Sequence, residues 1–272
     1  MDCHISPEQN PVTSKLNAPY YRVTQQEDEV FLQAYRNQLP LMLKGPTGCG
    51  KSRFVEAMAY KLGRPLIQVA CHDETSAVDL IGRYLIKGHE TIWQDGPILR
   101  SLKEGAILYL DEFVEAREDV MVVVHPLTDH RRELFVERLN ISVKAPKEFM
   151  VIISFNPGYQ RGLKELKAST RQRFLGLDFS YPEAAVESEI LQNEARIQKK
   201  MADKLIEYGR KVRSLEELGL SSSASTRLLI NAGILIREGM DARLACHTAI
   251  VQSLTDDSEA TRSLKDLANL MF

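Results

Sequence analysis

No run of apolar residues in this chain approaches the roughly 18 that a membrane-spanning helix requires. The amino-terminal MDCHISPEQNP also lacks the charged and apolar regions of a signal peptide. The expectation is a soluble, cytoplasmic protein with no membrane span. Cysteine is sparse: Cys3, Cys49, Cys71 and Cys246 lie far apart and form no C-x-x-C pair. That excludes a disulfide framework and a zinc knuckle, and agrees with a reducing compartment. Charge of either sign is not in excess, since 35 basic residues face 37 acidic ones for a net charge of −2. Nothing in that balance provides the basic footprint of a nucleic-acid binder, so no nucleic-acid partner is expected. Internal repeats and low-complexity segments are absent as well. What remains is an ordinary globular composition, 44% hydrophobic and 26% charged over 272 residues, enough for one large and one smaller domain.

The most informative stretch is LMLKGPTGCGKS, residues 41–52. Apolar Leu39, Leu41, Met42 and Leu43 run into Gly45, Pro46, Thr47, Gly48, Cys49, Gly50, Lys51 and Ser52, the pattern G-x-x-x-x-G-K-[ST] with a strand before it and a helix after it. Glycines there let successive N–H groups turn toward one anion, and the following helix adds its positive end. Lys51 is expected to reach the β- and γ-phosphates of a nucleotide, and Ser52 to hold Mg²⁺.

Along the chain, Pro7, Pro11 and Pro19 mark an irregular arm over residues 1–22. Thr24 reads as the cap of a helix running to Arg36. Apolar residues at helical spacing follow the phosphate loop until Gly63. PLIQVA, ILYL and MVIIS read as strands, and their alternation with helical segments predicts an α/β class with a parallel sheet. Residues 82–93 and 133–143 read as two hairpin inserts, and 120–124 as a helix despite four valines. From about Tyr181 only helical patterns remain: 183–200, 201–212, 223–237, 241–254 and 258–270. The expected organisation is an α/β nucleotide-binding domain over residues 23–181 and an all-helical domain over 182–272.

Chemistry is expected at the carboxyl ends of the strands. Asp111 and Glu112 follow an apolar strand and supply the two carboxylates a nucleotide hydrolase needs, Asp111 for the metal shell and Glu112 as the base that orients water. Asn156, closing the next strand, offers an amide toward the γ-phosphate. Arg171 and Arg173 lie beside the last strand, where a guanidinium can stabilise a transferring phosphoryl group in a neighbouring subunit. Arg227, near the start of a helix in the second domain, can reach back across a cleft.

The segments GPTGCGKSRFVEAMAYKLGRPLIQVACHDE, DLIGRYLIKG, TIWQDGPILRSLKEGAILYLDE, VVHPLTDHRREL, NPGYQRGLKELKASTRQRF and SASTR closely resemble the CbbQ/NorQ/NirQ family of MoxR-class AAA+ ATPases. The resemblance covers nearly the whole chain from about Tyr20. It implies an AAA+ sheet sandwiched by helices with hairpin inserts and a helical lid. It implies that Lys51 and Ser52 belong to Walker A, Asp111 and Glu112 to Walker B, Asn156 to sensor 1 and Arg227 to sensor 2, with Arg171 and Arg173 as candidate arginine fingers. ATP and Mg²⁺ are the implied cofactors, and a homo-hexamer working with a CbbO-like von Willebrand A domain adaptor is the implied assembly. HPLTDHRREL and NPGYQRGLKELKASTRQRF look most like CbbQ members, which implies release of tight-binding sugar phosphates from inhibited rubisco. A NorQ-like role toward nitric oxide reductase is the alternative, and an assembly scaffold with negligible hydrolysis is the rival from another class. Two positions depart from the family pattern: Ser52 stands where many members carry Thr, and SSSASTR lacks the glycine expected before Ala224. The insert at Tyr84, Leu85 and Ile86 is expected to face the ring's pore or its target.

Overall fold

The computed structural model describes residues 18–157, 166–216 and 223–272. Five strands, β1 (Leu41–Lys44), β2 (Leu66–Ala70), β5 (Ile107–Asp111), β8 (Met150–Phe155) and β9 (Leu175–Asp178), form one sheet in the order β2-β5-β8-β1-β9. Every pairing in it is parallel. Two antiparallel hairpins stand apart from the sheet: β3 (Gly82–Lys87) with β4 (Glu90–Asp95), and β6 (Glu133–Val136) with β7 (Ile141–Lys144). The fold is α/β, as the alternation of strands and helices predicts.

Period-2 alternation explains how the sheet buries both faces. Met42, Leu108, Leu110, Val151, Ile153 and Phe155 point into one core, shared with α4 (Pro97–Glu104) and α5 (Glu118–Val124). Leu41, Leu43, Ile107, Tyr109, Met150 and Ile152 point into the other, under α1 (Glu27–Arg36) and α2 (Lys51–Leu62). The short α3 (Ala77–Ile81) begins at a capping box made by Ser76 and Asp79. The valine-rich stretch after the acidic pair is helical, because Val120 and Val124, one turn apart, pack into the first core. A four-residue α6 (Ala168–Arg171) precedes β9.

Beyond Tyr181 come α7 (Ala184–Glu194), α8 (Lys199–Glu216) and α9 (Thr226–Arg237). α10 (Ala242–Cys246) continues through a π-helical turn, His247–Val251, into α11 (Gln252–Leu254), and α12 (Ser258–Met271) ends the chain's last turn of packing. These helices share a separate core centred on Leu205, Tyr208, Leu229, Cys246 and Ile250.

Three local expectations need correction. Thr24 does not cap α1, which starts at Glu27 with Gln26 before it. The direction is reversed: the buried Glu27 carboxylate accepts from the backbone N–H groups of Thr24 and Gln25 and from the hydroxyls of Thr24 and Tyr21. Leu39 lies outside β1 and is exposed. The break expected near residue 200 falls instead at 195–198, where Arg196 has a left-handed φ of 53°, a conformation that no glycine signals.

Candidate nucleotide-binding site

β1 delivers the chain to the carboxyl edge of the sheet between β8 and β9, and the phosphate loop fills the turn into α2. Gly45 (φ 154°) leaves no space for a Cβ, which would collide with the Phe179 carbonyl. Gly48 (φ 72°) lies under the helical bundle, where a Cβ would come within 2.6 Å of the Ser225 side chain. The loop is thus closed on one side by the strand β9 leads out of and on the other by the first residue before α9. Lys51 folds over the loop, its Nζ donating to the carbonyls of Gly45 at 2.7 Å and Pro46 at 2.9 Å.

Opposite the loop, the parity of β5 and β8 turns Tyr109, Asp111 and Ser154 toward α2. Tyr109 and Ser154 are fully buried and both donate to Asp111 Oδ1, Tyr109 at 2.8 Å. Ser52 Oγ donates to Asp111 Oδ2 at 3.2 Å and lies 3.4 Å from the Tyr109 hydroxyl. Burial, reinforced by the Asp111 charge, pushes the Tyr109 phenol well above its ordinary value, so it stays a donor to the carboxylate. Cys71, buried behind the same carboxylate, is pushed up to about 12 by burial and by Asp111 and Glu112. The thiol of Cys49 is raised too, through burial that outweighs the nearby Lys51. Neither cysteine is a thiolate at neutral pH.

Glu112 is exposed and holds a left-handed backbone, φ 52° and ψ 42°, unusual for a residue with a long side chain. Its N–H is anchored by Ser154 Oγ and Asp111 Oδ1, each at 3.2 Å. The twist sends the carboxylate away from the strand line and into the cleft.

A cavity of about 740 Å³ lies between the sheet's carboxyl edge and the bundle. Thr47, Gly48, Cys49, Gly50, Lys51, Ser52, Asp111, Glu112 and Asn156 line it from the sheet side, and Thr226 and Arg227 from α9. Tyr20, Tyr21 and Arg22 complete one wall, with Tyr21 packed on Phe54. Of the residues singled out in the sequence, all but four therefore meet in one cleft. Gly45 and Pro46 support the loop from beneath through their carbonyls. Arg171 and Arg173 are elsewhere: β9 runs parallel to β1, so residues just before Leu175 sit at the amino edge of the sheet, opposite the phosphate loop. Arg173 is half-buried and lies 4.0 Å from Asp129, whose other partner is Arg131 at 2.6 Å. Arg171 is exposed and has no side-chain partner among the described residues.

Sequence reasoning missed Tyr109, Ser154 and the tyrosines of the arm. Parity offered a signal for the first two, since Tyr109 and Ser154 stand two positions before Asp111 and Asn156 on strands already recognised. Nothing local pointed to Tyr20, which is held by Glu189 on α7, or to Tyr21, which is held by Glu27 and Phe54.

Residues 40–174 match the AAA domain of the dynein-related subfamily, and residues 187–271 match the CbbQ/NirQ/NorQ C-terminal domain. NorQ of Paracoccus denitrificans is 49% identical over 272 residues, all of both chains. CbbQ of Hydrogenophilus thermoluteolus is 50% identical over 254 residues, 93% of this chain and 95% of that one. The chain belongs to the CbbQ/NirQ/NorQ family of AAA+ ATPases. The protein is accordingly an ATPase. A solved RuvB mutant of Thermotoga maritima shares the fold, with a TM-score of 0.55 at 16% identity over 90% of this chain and 69% of that one. Family membership does not choose among targets, because NorQ and CbbQ stand at the same distance. Among the described residues no helix is long and apolar enough to cross a membrane.

Proposed function

We propose that this CbbQ/NirQ/NorQ family member is a ring-forming motor that spends ATP on remodelling a protein target. The observation that carries the reading is the single cleft in which the phosphate loop, two carboxylates, an amide and an arginine from the bundle converge. Lys51 leaves its two carbonyl partners to engage the β- and γ-phosphates. Ser52 Oγ and Asp111 Oδ2, 3.2 Å apart, are hard oxygen donors and would hold Mg²⁺. Held there, it would supply charge neutralisation for the phosphate oxygens. Glu112 is the base toward the attacking water, Asn156 holds the γ-phosphate or that water, and Arg227 reads the γ-phosphate from the bundle.

Arg171 acts in a neighbouring subunit. Its place at the amino edge of the sheet puts its own phosphate loop a strand-length away, about 13 Å for four residues. Between the two candidates, exposed Arg171 is free to cross an interface, whereas Arg173 is engaged with Asp129. A homo-hexameric ring with shared sites is the proposed assembly, and a CbbO-like von Willebrand A domain adaptor is the proposed partner. The hairpin β3–β4 reaches the target: Ile86 is 83% exposed at its end, while Tyr84 is tied down by Trp93 and by its bond to the Arg138 carbonyl.

Inhibited rubisco is the proposed target, supported by the HPLTDHRREL and NPGYQRGLKELKASTRQRF segments. Nitric oxide reductase is the second reading, supported by the end-to-end match to NorQ. The test is coexpression with the genomic von Willebrand A partner, followed by ATP-dependent recovery of carboxylation by rubisco blocked with a tight sugar phosphate. Recovery that needs both proteins and intact Glu112 is the expected result, and Ile86→Ala should abolish it while sparing ATP hydrolysis. Failure with rubisco, together with activation of a nitric oxide reductase lacking its metal centre, replaces the first target by the second. Negligible phosphate release with every partner would instead leave a scaffold.

A further inference from the structure

The helical bundle contains a fully buried carboxylate, Glu187 on α7. Arg213 on α8 holds it in a two-pronged pair, Nη2 to Oε1 at 2.6 Å and Nη1 to Oε2 at 2.9 Å. The Thr226 hydroxyl donates to the same Oε1 at 2.6 Å, and Arg213 Nε donates to the Ala224 carbonyl at 2.7 Å. Both flanks of Ser225, the residue that a Cβ on Gly48 would strike, are therefore bonded to one ion pair. On its other side the Arg213 guanidinium carbon lies 4.1 Å from the centre of the Tyr181 ring, and the Tyr181 hydroxyl donates to the Thr47 carbonyl of the phosphate loop at 3.1 Å. A continuous path of direct contacts runs from Thr47 through Tyr181, Arg213 and Glu187 to Thr226, the neighbour of Arg227.

A buried ion pair is a poor way to gain stability, because desolvation consumes much of the attraction, and an apolar pair of the same volume packs as well. What it provides is direction. A bidentate guanidinium–carboxylate pair fixes two planes against each other, and a ring stacked on the guanidinium adds a third. Here those planes belong to the segment linking sheet to bundle, to α7 and α8, and through Thr226 to the first turn of α9.

We propose that Tyr181, Arg213, Glu187 and Thr226 form a positioning relay that sets Arg227 against the phosphate loop, so that the loop's nucleotide state and the orientation of the bundle change together. None of the four is a catalytic residue. They act on the γ-phosphate through Arg227, and this inference rests on the reading of Arg227 as the residue that senses it. Tyr181 is the joint at which the loop and the bundle meet, and it lies in the short segment linking β9 to α7.

The test is a set of double-mutant cycles on the full chain, read as the ratio of ATP to ADP affinity with fluorescent nucleotides and as separate KM and kcat for hydrolysis. Tyr181→Phe deletes the bond to Thr47 while keeping the ring on Arg213, and Thr226→Val deletes the bond to Glu187 while keeping its volume. Each should lower the preference for ATP about threefold to tenfold, the range a single hydrogen bond supports, and raise KM more than it lowers kcat. In an Arg227→Ala background both should have no further effect on the preference. Thr226→Ser, which retains the hydroxyl, should restore the wild-type ratio. Equal effects with and without Arg227, or an unchanged ratio in both single variants with melting midpoints near wild type, would overturn the relay. The underlying reading fails in a different way: Arg227→Ala alone would then leave the ATP preference untouched.

Discussion

The sheet domain and the helical bundle solve the burial of polar groups in opposite ways. In the sheet domain the buried hydroxyls of Tyr109 and Ser154 converge on Asp111, a carboxylate at the rim of an open cleft. In the bundle, Glu187 is sealed inside and satisfied by Arg213 and Thr226. The first arrangement leaves a negative charge available to a cation. The second leaves nothing available to a ligand and fixes helices instead. On the proposed reading, chemistry and its mechanical readout are carried by different folds of one chain, joined at Tyr181 and where Ser225 closes over Gly48.

That contrast can be broken one side at a time. The largest effect is expected at Arg171, where alanine should reduce hydrolysis about 10³- to 10⁵-fold, as for an arginine supplied in trans. Mixing inactive Arg171→Ala with inactive Lys51→Ala subunits should restore part of the activity, measured as phosphate release after verified subunit exchange. Arg173→Ala should be milder, since Asp129 already engages that side chain. A mixture that stays inactive despite exchange would place the site within one subunit.

Glu112→Gln should slow turnover about 10²- to 10⁴-fold with nucleotide affinity retained, whereas Lys51→Ala should lose the affinity itself. Equilibrium binding alongside steady-state hydrolysis separates the two, and full activity in Glu112→Gln would remove it as the base. On the bundle side, Arg213→Met strands the Glu187 carboxylate and should destabilise the folded protein by about 3–5 kcal/mol, measurable by denaturant unfolding. Met in place of both residues should recover much of that loss without recovering the ATP preference.

The smallest effect concerns His125, whose Nε2 lies 2.9 Å from Thr170 Oγ1 in the short helix that carries Arg171. Burial first, and then Arg173, lowers its pKa below the ordinary value of 6.5. The unfolded chain therefore binds the proton more readily than the folded one. The contribution of neutral His125 to stability is complete above about pH 6.5 and declines as the pH falls below it. Thermal midpoints should drop more steeply between about pH 6.5 and 5.5 in the wild type than in His125→Gln, by a few degrees at most. Parallel curves would assign the titration elsewhere.

Much of the sheet domain could be read before folding because its information is local. A strand with period-2 apolar residues, a glycine-rich turn and a helix in sequence define the phosphate loop, and Asp111 and Asn156 follow recognisable strands. The bundle resisted that reading where its determinants are distant. Glu187 and Arg213 are 26 residues apart on different helices, and each alone reads as a solvated charge. Arg196 ends α7 with a left-handed turn that its residue type does not announce. Thr24 failed as a cap for a related reason: the buried Glu27 carboxylate outcompeted it by collecting four donors at once.

The left-handed backbone of Glu112 has a consequence for how this protein would evolve under different pressures. A non-glycine residue in that region carries a penalty of about 1–2 kcal/mol, which glycine avoids and asparagine reduces. With Glu112 as the proposed base, position 112 is one at which thermal robustness and turnover favour different residues. A mutant library propagated for heat resistance alone should drift toward Gly or Asn there and accumulate inactive variants. A library propagated for ATP hydrolysis should hold glutamate against the preference of its own backbone.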